Sequence, residues 1–197
     1  MNKALTVFAA LIAAFGLAVI PALAVNPPVI TLDRVEVASI QPFFVKPIIK
    51  DAEGNQKEMA QAGYSSTLNV AYVFNIKNPN KEPVMLNELQ FTTAFDGFDV
   101  NTVTSYDNMW IPGGKTNQWR VVVTNEAFPT IVSLMVGAEH AQRIAEMKTS
   151  AGALVKKWWD NISDFSFPIQ VSNGTALFKD DKGKEMRATF TGKWPKK

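Results

Sequence analysis

The sequence predicts a mainly β domain, a two-sheet sandwich with a helical insertion, behind one apolar N-terminal segment. After residue 28, apolar and polar residues alternate with a period of two in several stretches that polar turns separate. Spacings of three and four, typical of helices, occur only between about residues 127 and 162. Residues 4–25 contain no charged side chain. The chain therefore divides into an N-terminal segment, residues 1–25, and one domain, residues 26–197, large enough to bury a core without disulfides.

The N-terminal segment is predicted to be a membrane-spanning helix or an uncleaved signal peptide. As a helix, residues 4–25 would extend ~33 Å, enough to cross a hydrocarbon core of ~30 Å. Ala22-Leu23-Ala24 is typical of a signal-peptidase site, so cleavage after Ala24 is the alternative. We favour a single-pass anchor, with the lipid bilayer as the partner of residues 4–25.

The charge distribution predicts the orientation of this segment. Lys3 precedes it, and the next basic residue is Arg34. Because basic residues stay on the cytoplasmic side, we expect the N-terminus in the cytoplasm and the domain in the periplasm or outside the cell. The expected location is the cytoplasmic (inner) membrane; cleavage would instead give a periplasmic or secreted protein.

The first strands follow from alternation and turn residues. Residues 29–49 are rich in β-branched and aromatic side chains, but Pro42 and Pro47 restrict them to an edge strand or an extended arm. Residues 51–63 are polar and predict a long loop or an irregular hairpin. Residues 68–77 alternate most regularly and predict a central strand. The turn Asn78-Pro79-Asn80 ends it, because proline removes a ladder donor and asparagine bonds to nearby backbone.

Three further strands and the helices follow. We expect strands over residues 84–95, ended by Asp96-Gly97, over residues 100–110, and around residues 119–123. Thr124 or Asn125 is predicted to cap a helix, with Pro129 in its first turn. Its apolar face would comprise Ile131, Leu134, Met135, Ala138, Ala141 and Ala145.

The remaining chain predicts a second helix and the last strands. After a break at residues 149–152, a second short helix would bury Leu154, Val155, Trp158 and Ile162. Strand character returns at residues 165–171, 175–178 and 186–190, and a turn at residues 180–183 closes the last hairpin.

Residues 68–123 resemble the late-embryogenesis-abundant type 2 family, also called the water-stress and hypersensitive-response (WHy) domain. The matching features are the alternating strand before Asn78-Pro79-Asn80, Pro83 and Leu86, the strand around Phe91, the turn Asp96-Gly97, and Ile111-Pro112-Gly113 before a valine-rich strand. This resemblance implies an immunoglobulin or fibronectin III-like sandwich, often behind a short membrane span. It also implies stress protection and interaction rather than catalysis, and it transfers no catalytic residue.

The residue inventory argues against catalysis and cofactors. The chain has no cysteine and one histidine, His140, too few for a usual transition-metal or nucleophilic site. Asp96, Asp99 and Asp107 could meet to bind calcium, but aspartates beside glycine usually form turns. The net charge of +2, with acids and bases interspersed, does not favour nucleic-acid binding. We predict a non-enzymatic protein with no cofactor, no metal and no nucleic-acid partner.

Tryptophans are the candidate interface residues. Trp158 and Trp159 are adjacent, so a helix would point them about 100° apart and would not bury both equally. One interpretation buries Trp158 and leaves Trp159 at the rim of the core. The other makes Trp159, with Trp110 or Trp194, an anchor for a partner protein or for lipid headgroups.

Three functions remain open at this point. The first is a membrane-tethered accessory or scaffolding subunit that docks its sandwich onto a larger membrane protein complex and stabilises it. The second is an exported stress-protective protein of the late-embryogenesis-abundant type. The third is a carrier of an apolar ligand, with the predicted helices of residues 128–162 as a lid.

Overall fold

The computed structural model describes residues 26–43, 48–50, 52–58 and 66–196. The predicted anchor or signal peptide, residues 1–25, lies outside the described residues. Among the helices that the structure does describe, none has the length and apolar character needed to cross a membrane.

The described chain forms two antiparallel sheets and three helices, consistent with the predicted sandwich. Its strands are β1 (Val29–Ile40), β2 (Ile48–Lys50), β3 (Gln56–Glu58), β4 (Thr67–Lys77), β5 (Val84–Phe95), β6 (Phe98–Ser105), β7 (Met109–Ile111), β8 (Thr116–Glu126), β9 (Ile169–Asp180) and β10 (Glu185–Trp194). Its helices are α1 (Ala127–Val136), α2 (Ala138–Glu146) and α3 (Ala151–Asn161), and a 3₁₀ turn follows at Ile162–Asp164.

One sheet has the order β1-β4-β8, and the other has the order β10-β9-β5-β6, with β7 also pairing with β5. Strands β2 and β3 form a separate hairpin. Strand β4 is the central strand of its sheet, as its alternation predicts, and its inward side chains are completely buried. The two sheets meet through edge-on aromatic pairs. The ring centroid of Phe74 lies 5.2 Å from that of Phe91 and 5.2 Å from that of Phe190. The core therefore lies between the sheets, where the period-two pattern places it.

Two strand predictions were wrong in detail. Residues 100–110 form two strands, β6 and β7, instead of one, and they pair with different parts of β5. The strands predicted at residues 165–171 and 175–178 form one continuous strand, β9, which begins only at Ile169. Its Gly174 lies directly against β10, where a Cβ would come within 2.4 Å of the Phe190 carbonyl oxygen. This glycine permits close strand contact and does not interrupt the strand.

The predicted long helix after residue 125 was also wrong. The chain forms α1 and α2, which are separated at Gly137, a residue in extended conformation with ψ 114°. The spacing of three and four does not continue through this break, and Ala138, Ala141 and Ala145 of α2 are exposed. Met135 is also exposed, although it lies within α1. Glu126, not Thr124 or Asn125, occupies the N-cap position. Helix α3 agrees with the predicted second short helix, and the four predicted apolar residues are buried, with Ile162 in the 3₁₀ turn that follows it. The helix begins at Ala151, inside the predicted break, and Ser150 caps it.

Candidate interaction surfaces

The turn Asn78-Pro79-Asn80 is a buried junction. Asn78 is fully buried, and its side-chain Nδ2 donates to the carbonyl oxygens of Glu82 at 2.8 Å and Ile111 at 3.1 Å. Its Oδ1 accepts hydrogen bonds from the backbone and side-chain nitrogens of Asn80, both at 3.0 Å. The nitrogen and the oxygen of this side chain are thus both hydrogen-bonded, as a buried amide requires.

Asn80 extends this junction to the start of the described chain. Its Oδ1 accepts from the backbone N–H of Asn26 at 2.9 Å, and its Nδ2 donates to the carbonyl of Asn26 at 2.8 Å. Asn26 directly follows the apolar N-terminal segment. The turn therefore fixes the point at which that segment joins the domain.

The β7–β8 loop completes the junction. Lys81 O lies where a Cβ on Gly113 would stand, at 1.8 Å, so only glycine fits this position. Gly114 N donates to Asn80 O at 2.8 Å, and Asn78 N donates to Lys115 O at 2.9 Å. The Asn-Pro-Asn turn and the Ile-Pro-Gly segment, separate in sequence, form one structure.

Trp158 anchors the helices to the opposite end of the sandwich. Its ring is fully buried against Phe95, at 5.6 Å between centroids, and Phe98, at 5.9 Å. Its Nε1 donates to the Asp96 carboxylate at 3.0 Å. Arg143 of α2 donates to the carbonyl of Gly97 at 2.8 Å and lies 4.1 Å from the centre of the Phe98 ring. Asp96-Gly97 is the predicted turn, and it also holds α2 and α3 in place.

Trp159 is buried and does not lie exposed at the rim of the core. It is 2% exposed against 0% for Trp158, so the expectation that the two cannot be equally deep was wrong. The reason is that the chain after β1 covers it: Phe43 packs edge-on at 5.9 Å between ring centroids. Trp158 faces the sheets and Trp159 faces this arm, so the two neighbouring indoles are buried against different partners.

The other two candidate tryptophans lie on strands, Trp110 on β7 and Trp194 on β10. Trp110 is 52% exposed on the short strand β7, where its carbonyl accepts a hydrogen bond from the Asn117 side chain at 2.9 Å. Trp194 is half-buried near the end of β10, edge-on to Phe165 at 6.1 Å. The structure does not bring the four tryptophans together, and Trp110 is the one most available to a partner.

An open cleft separates the edges of the two sheets beside β8. It has a volume of about 450 Å³ and is lined by residues 103–107 and by Arg120, Val121 and Val122. Tyr106 at 71% and Val122 at 45% are exposed here. The sequence gives one signal for this site, the run of three valines at residues 121–123, in which the middle side chain points away from the core.

Helix α1 presents an apolar outer surface. The helix contains no charged residue, and Val132, Met135 and Val136 are 40%, 65% and 80% exposed. Their spacing places them on one side of the helix. Exposed apolar surface of this kind is typical of contact sites.

The described residues include no group of three or more metal-ligating side chains. His140 packs edge-on against Phe98 at 5.6 Å between ring centroids, a structural position. On the outer face of the β1-β4-β8 sheet, Arg34 and Arg120 donate to Glu36 at 2.7 and 3.2 Å. Hydrogen bonds from these two guanidiniums hold the pKa of Glu36 below its ordinary value. This network is exposed and polar, and it contains no nucleophile.

No protein-family model matches the chain, and no curated protein matches it. Three of the solved structures that match the chain do so at low similarity. A structural genomics target is 12% identical, with a TM-score of 0.35; the match covers 80% of this chain and 83% of the target's chain. A protein from Archaeoglobus fulgidus is 9% identical, with a TM-score of 0.36; the match covers 81% of this chain and 98% of that protein's chain. A Bordetella pertussis protein provisionally named ApaA is 11% identical, with a TM-score of 0.36; the match covers 85% of this chain and 94% of that protein's chain.

Proposed function

We propose that this protein is a membrane-anchored accessory or scaffolding subunit that docks its sandwich onto the extracytoplasmic part of a larger membrane protein complex and stabilises it. In this proposal, residues 1–25 form a single transmembrane helix, with the N-terminus in the cytoplasm. Residues 26–197 form an immunoglobulin or fibronectin III-like domain of the late-embryogenesis-abundant type 2 (WHy) kind, which performs no catalysis.

The observation that carries the proposal is the paired hydrogen bonding between Asn80 and Asn26. A segment ending at Val25 would join the domain without a flexible linker, because the next residue is held on both its N–H and its C=O. An anchor attached in this way would give the domain a defined orientation at the membrane. Restriction to the membrane plane also raises the effective concentration near a neighbouring subunit, so modest contacts suffice for assembly.

The orientation determines which surfaces reach a neighbour. Strands of 11 or 12 residues at ~3.4 Å per residue place the helices roughly 40 Å from the Asn26 end. The uncharged surface of α1 would therefore lie far from the lipid and face protein. This favours docking to another subunit over contact between that surface and the bilayer that holds the anchor.

The carrier alternative receives less support from the packing. The helices do not cover a binding space where Trp158 lies, since that ring contacts Phe95, Phe98 and Phe167 at centroid distances of 5.6, 5.9 and 6.4 Å. The exported stress protectant remains the principal alternative, and it requires the same fold without a stable partner.

Two measurements on the native protein test the proposal. An intact mass near the full 21.7 kDa in the membrane fraction is expected for an anchored chain, whereas a mature chain beginning at Val25 would contradict it. After extraction in mild detergent, the protein should migrate with other subunits in fixed stoichiometry. Recovery as a lone, monodisperse domain would favour the stress-protective function.

A further inference from the structure

The four sheet edges of the described fold are not equally protected. The pairing of β1 shifts register twice, after Leu32 and after Val37, and the pairing of β10 shifts once, after Phe190. The pairing of β6 also shifts once. Strand β8 instead pairs with β4 in one unbroken register from Thr116 to Glu126 and contains no proline. Edge strands are commonly protected by bulges or proline, and β8 has neither.

The hydrogen bonds at the ends of β8 identify which of its backbone groups point outward. Lys115 O accepts from Asn78 N, and Ala127 N donates to Ser66 O, so odd-numbered residues face β4. Thr124 O accepts from the Asn101 side chain of β6, so even-numbered residues face away from β4. The N–H and C=O groups of Gln118, Arg120 and Val122 therefore lie along the free edge.

Side chains connect β8 to the other sheet at both ends of this edge and leave its centre open. Asn101 Nδ2 bonds to Thr124 O at 3.3 Å, and Asn117 Nδ2 bonds to Trp110 O at 2.9 Å. Between these two contacts lies the cleft of about 450 Å³ beside Arg120 and Val122. The open stretch of five residues measures ~17 Å, the length of a short strand.

We propose that this part of β8, residues 118–122, binds an extended segment of the partner protein as an additional strand. Alternating backbone donors and acceptors are complemented best by another strand, which makes the occupant a polypeptide and not a small molecule. One side of the added strand would contact Val103 and Tyr106 in the cleft, and the other would lie beside Val122. The segment should therefore carry apolar side chains at alternate positions. This inference rests on the proposed function and specifies its contact surface.

A second copy of this chain fits the edge less well. Two β8 strands related by a two-fold axis would run antiparallel, which would point the two Asn26 ends in opposite directions. Two anchors in one membrane cannot satisfy that arrangement. The edge therefore favours a strand from a different subunit.

Val122→Pro in the full-length protein, expressed in its native host, tests the inference. The N–H of Val122 points away from β4, so proline removes an edge donor without breaking a bond inside the sheet. Val122→Thr is the matched control, since it keeps the N–H and the β-branched shape. Native electrophoresis of membranes in mild detergent measures the fraction of each variant within a larger assembly. Thermal unfolding of the purified variants checks that both are folded.

We expect Val122→Pro to lower the assembled fraction at least ~10-fold, while Val122→Thr stays within about twofold of the wild type. Hydrogen exchange should also be slower at Gln118, Arg120 and Val122 in the assembly than in the isolated chain. Equal assembly of wild type and a folded Val122→Pro variant would overturn the inference and leave the proposed function standing. A wild-type chain that is membrane-bound but monomeric would overturn both, and so would a second copy as its sole partner. If Val122→Pro does not fold, unchanged exchange at these three amides in the wild-type assembly would still overturn the inference.

Discussion

Replacing Asn78 with alanine should destabilise the domain more than any other single change in the Asn-Pro-Asn turn. The substitution removes four hydrogen bonds and leaves the buried carbonyl of Ile111 without its side-chain donor. Water can replace the bonds to the exposed Glu82 and the half-buried Asn80, but it reaches the Ile111 carbonyl poorly. With roughly 1 kcal/mol for each of the three bonds that water replaces in part and up to ~3 kcal/mol for the buried carbonyl left unsatisfied, the loss is at most ~6 kcal/mol, and we expect about 4 kcal/mol.

Asn80→Ala is the matched control, because the same residue type is lost from the same turn. Its bonds to Asn26 are exposed, and Asn78 Oδ1 loses the side-chain donor but keeps the backbone N–H of Asn80, so the expected loss is about 1 kcal/mol. Urea unfolding followed by tryptophan fluorescence measures both variants, and an unchanged slope against urea would show that the unfolding reaction is the same. A loss below ~1 kcal/mol for Asn78→Ala, or a larger loss for Asn80→Ala, would refute the assignment of the turn's stability to the buried amide.

Three further changes test other parts of the structure. Gly113→Ala should lower the free energy of unfolding by about 2–3 kcal/mol, since the new Cβ would stand 1.8 Å from Lys81 O. Gly114→Ala should lower it by about 1 kcal/mol, because its φ is 68° but no atom lies near the added Cβ. Thermal unfolding compares the two variants, and equal losses would contradict the steric explanation. Trp158→Phe should cost about 2–3 kcal/mol in urea unfolding, because it loses a hydrogen bond to a carboxylate, and a near-neutral result would show that ring packing alone holds α3. Glu36 has a lowered pKa in the folded state, so its contribution to stability is present above its ordinary pKa and is lost as the pH falls through the lower folded value. The unfolding midpoints of wild type and Glu36→Gln should therefore converge as the pH falls from about 5 to about 3. A difference between the two midpoints that stays constant over this range would contradict this.

The sequence predicts the sheets well because burial and turn chemistry act locally on them. In β4, every second side chain enters the core, so alternation alone gives the strand, its inward face and its central position. The turns Asn78-Pro79-Asn80 and Asp96-Gly97 were also correctly placed, since proline and a positive φ, here 50° at Asp96, limit the backbone at those positions.

The helices were predicted less well because their burial depends on distant contacts. Spacing suggested one apolar face across residues 131–145, but the helix is interrupted at Gly137, and the alanines of α2 do not continue the buried face of α1. The burial of Trp159 depends on Phe43, more than 100 residues away in the sequence. No local pattern contains that contact, which explains why one tryptophan of an adjacent pair was expected at the rim.

Hydrogen bonding at the two ends of the sandwich differs from that along the middle of β8. At one end of the sandwich, Asn78 and Asn80 bond to the backbone around them; at the other, Arg143 and Trp158 bond to the Asp96-Gly97 turn. These side chains and the backbone or carboxylate groups that they reach are thus bonded to each other within the domain. The middle of β8 differs, since its outward N–H and C=O groups lie beside an open cleft and no strand among the described residues pairs with them. Added backbone hydrogen bonds along this edge would therefore contribute to binding without displacing a bond that the described fold already makes.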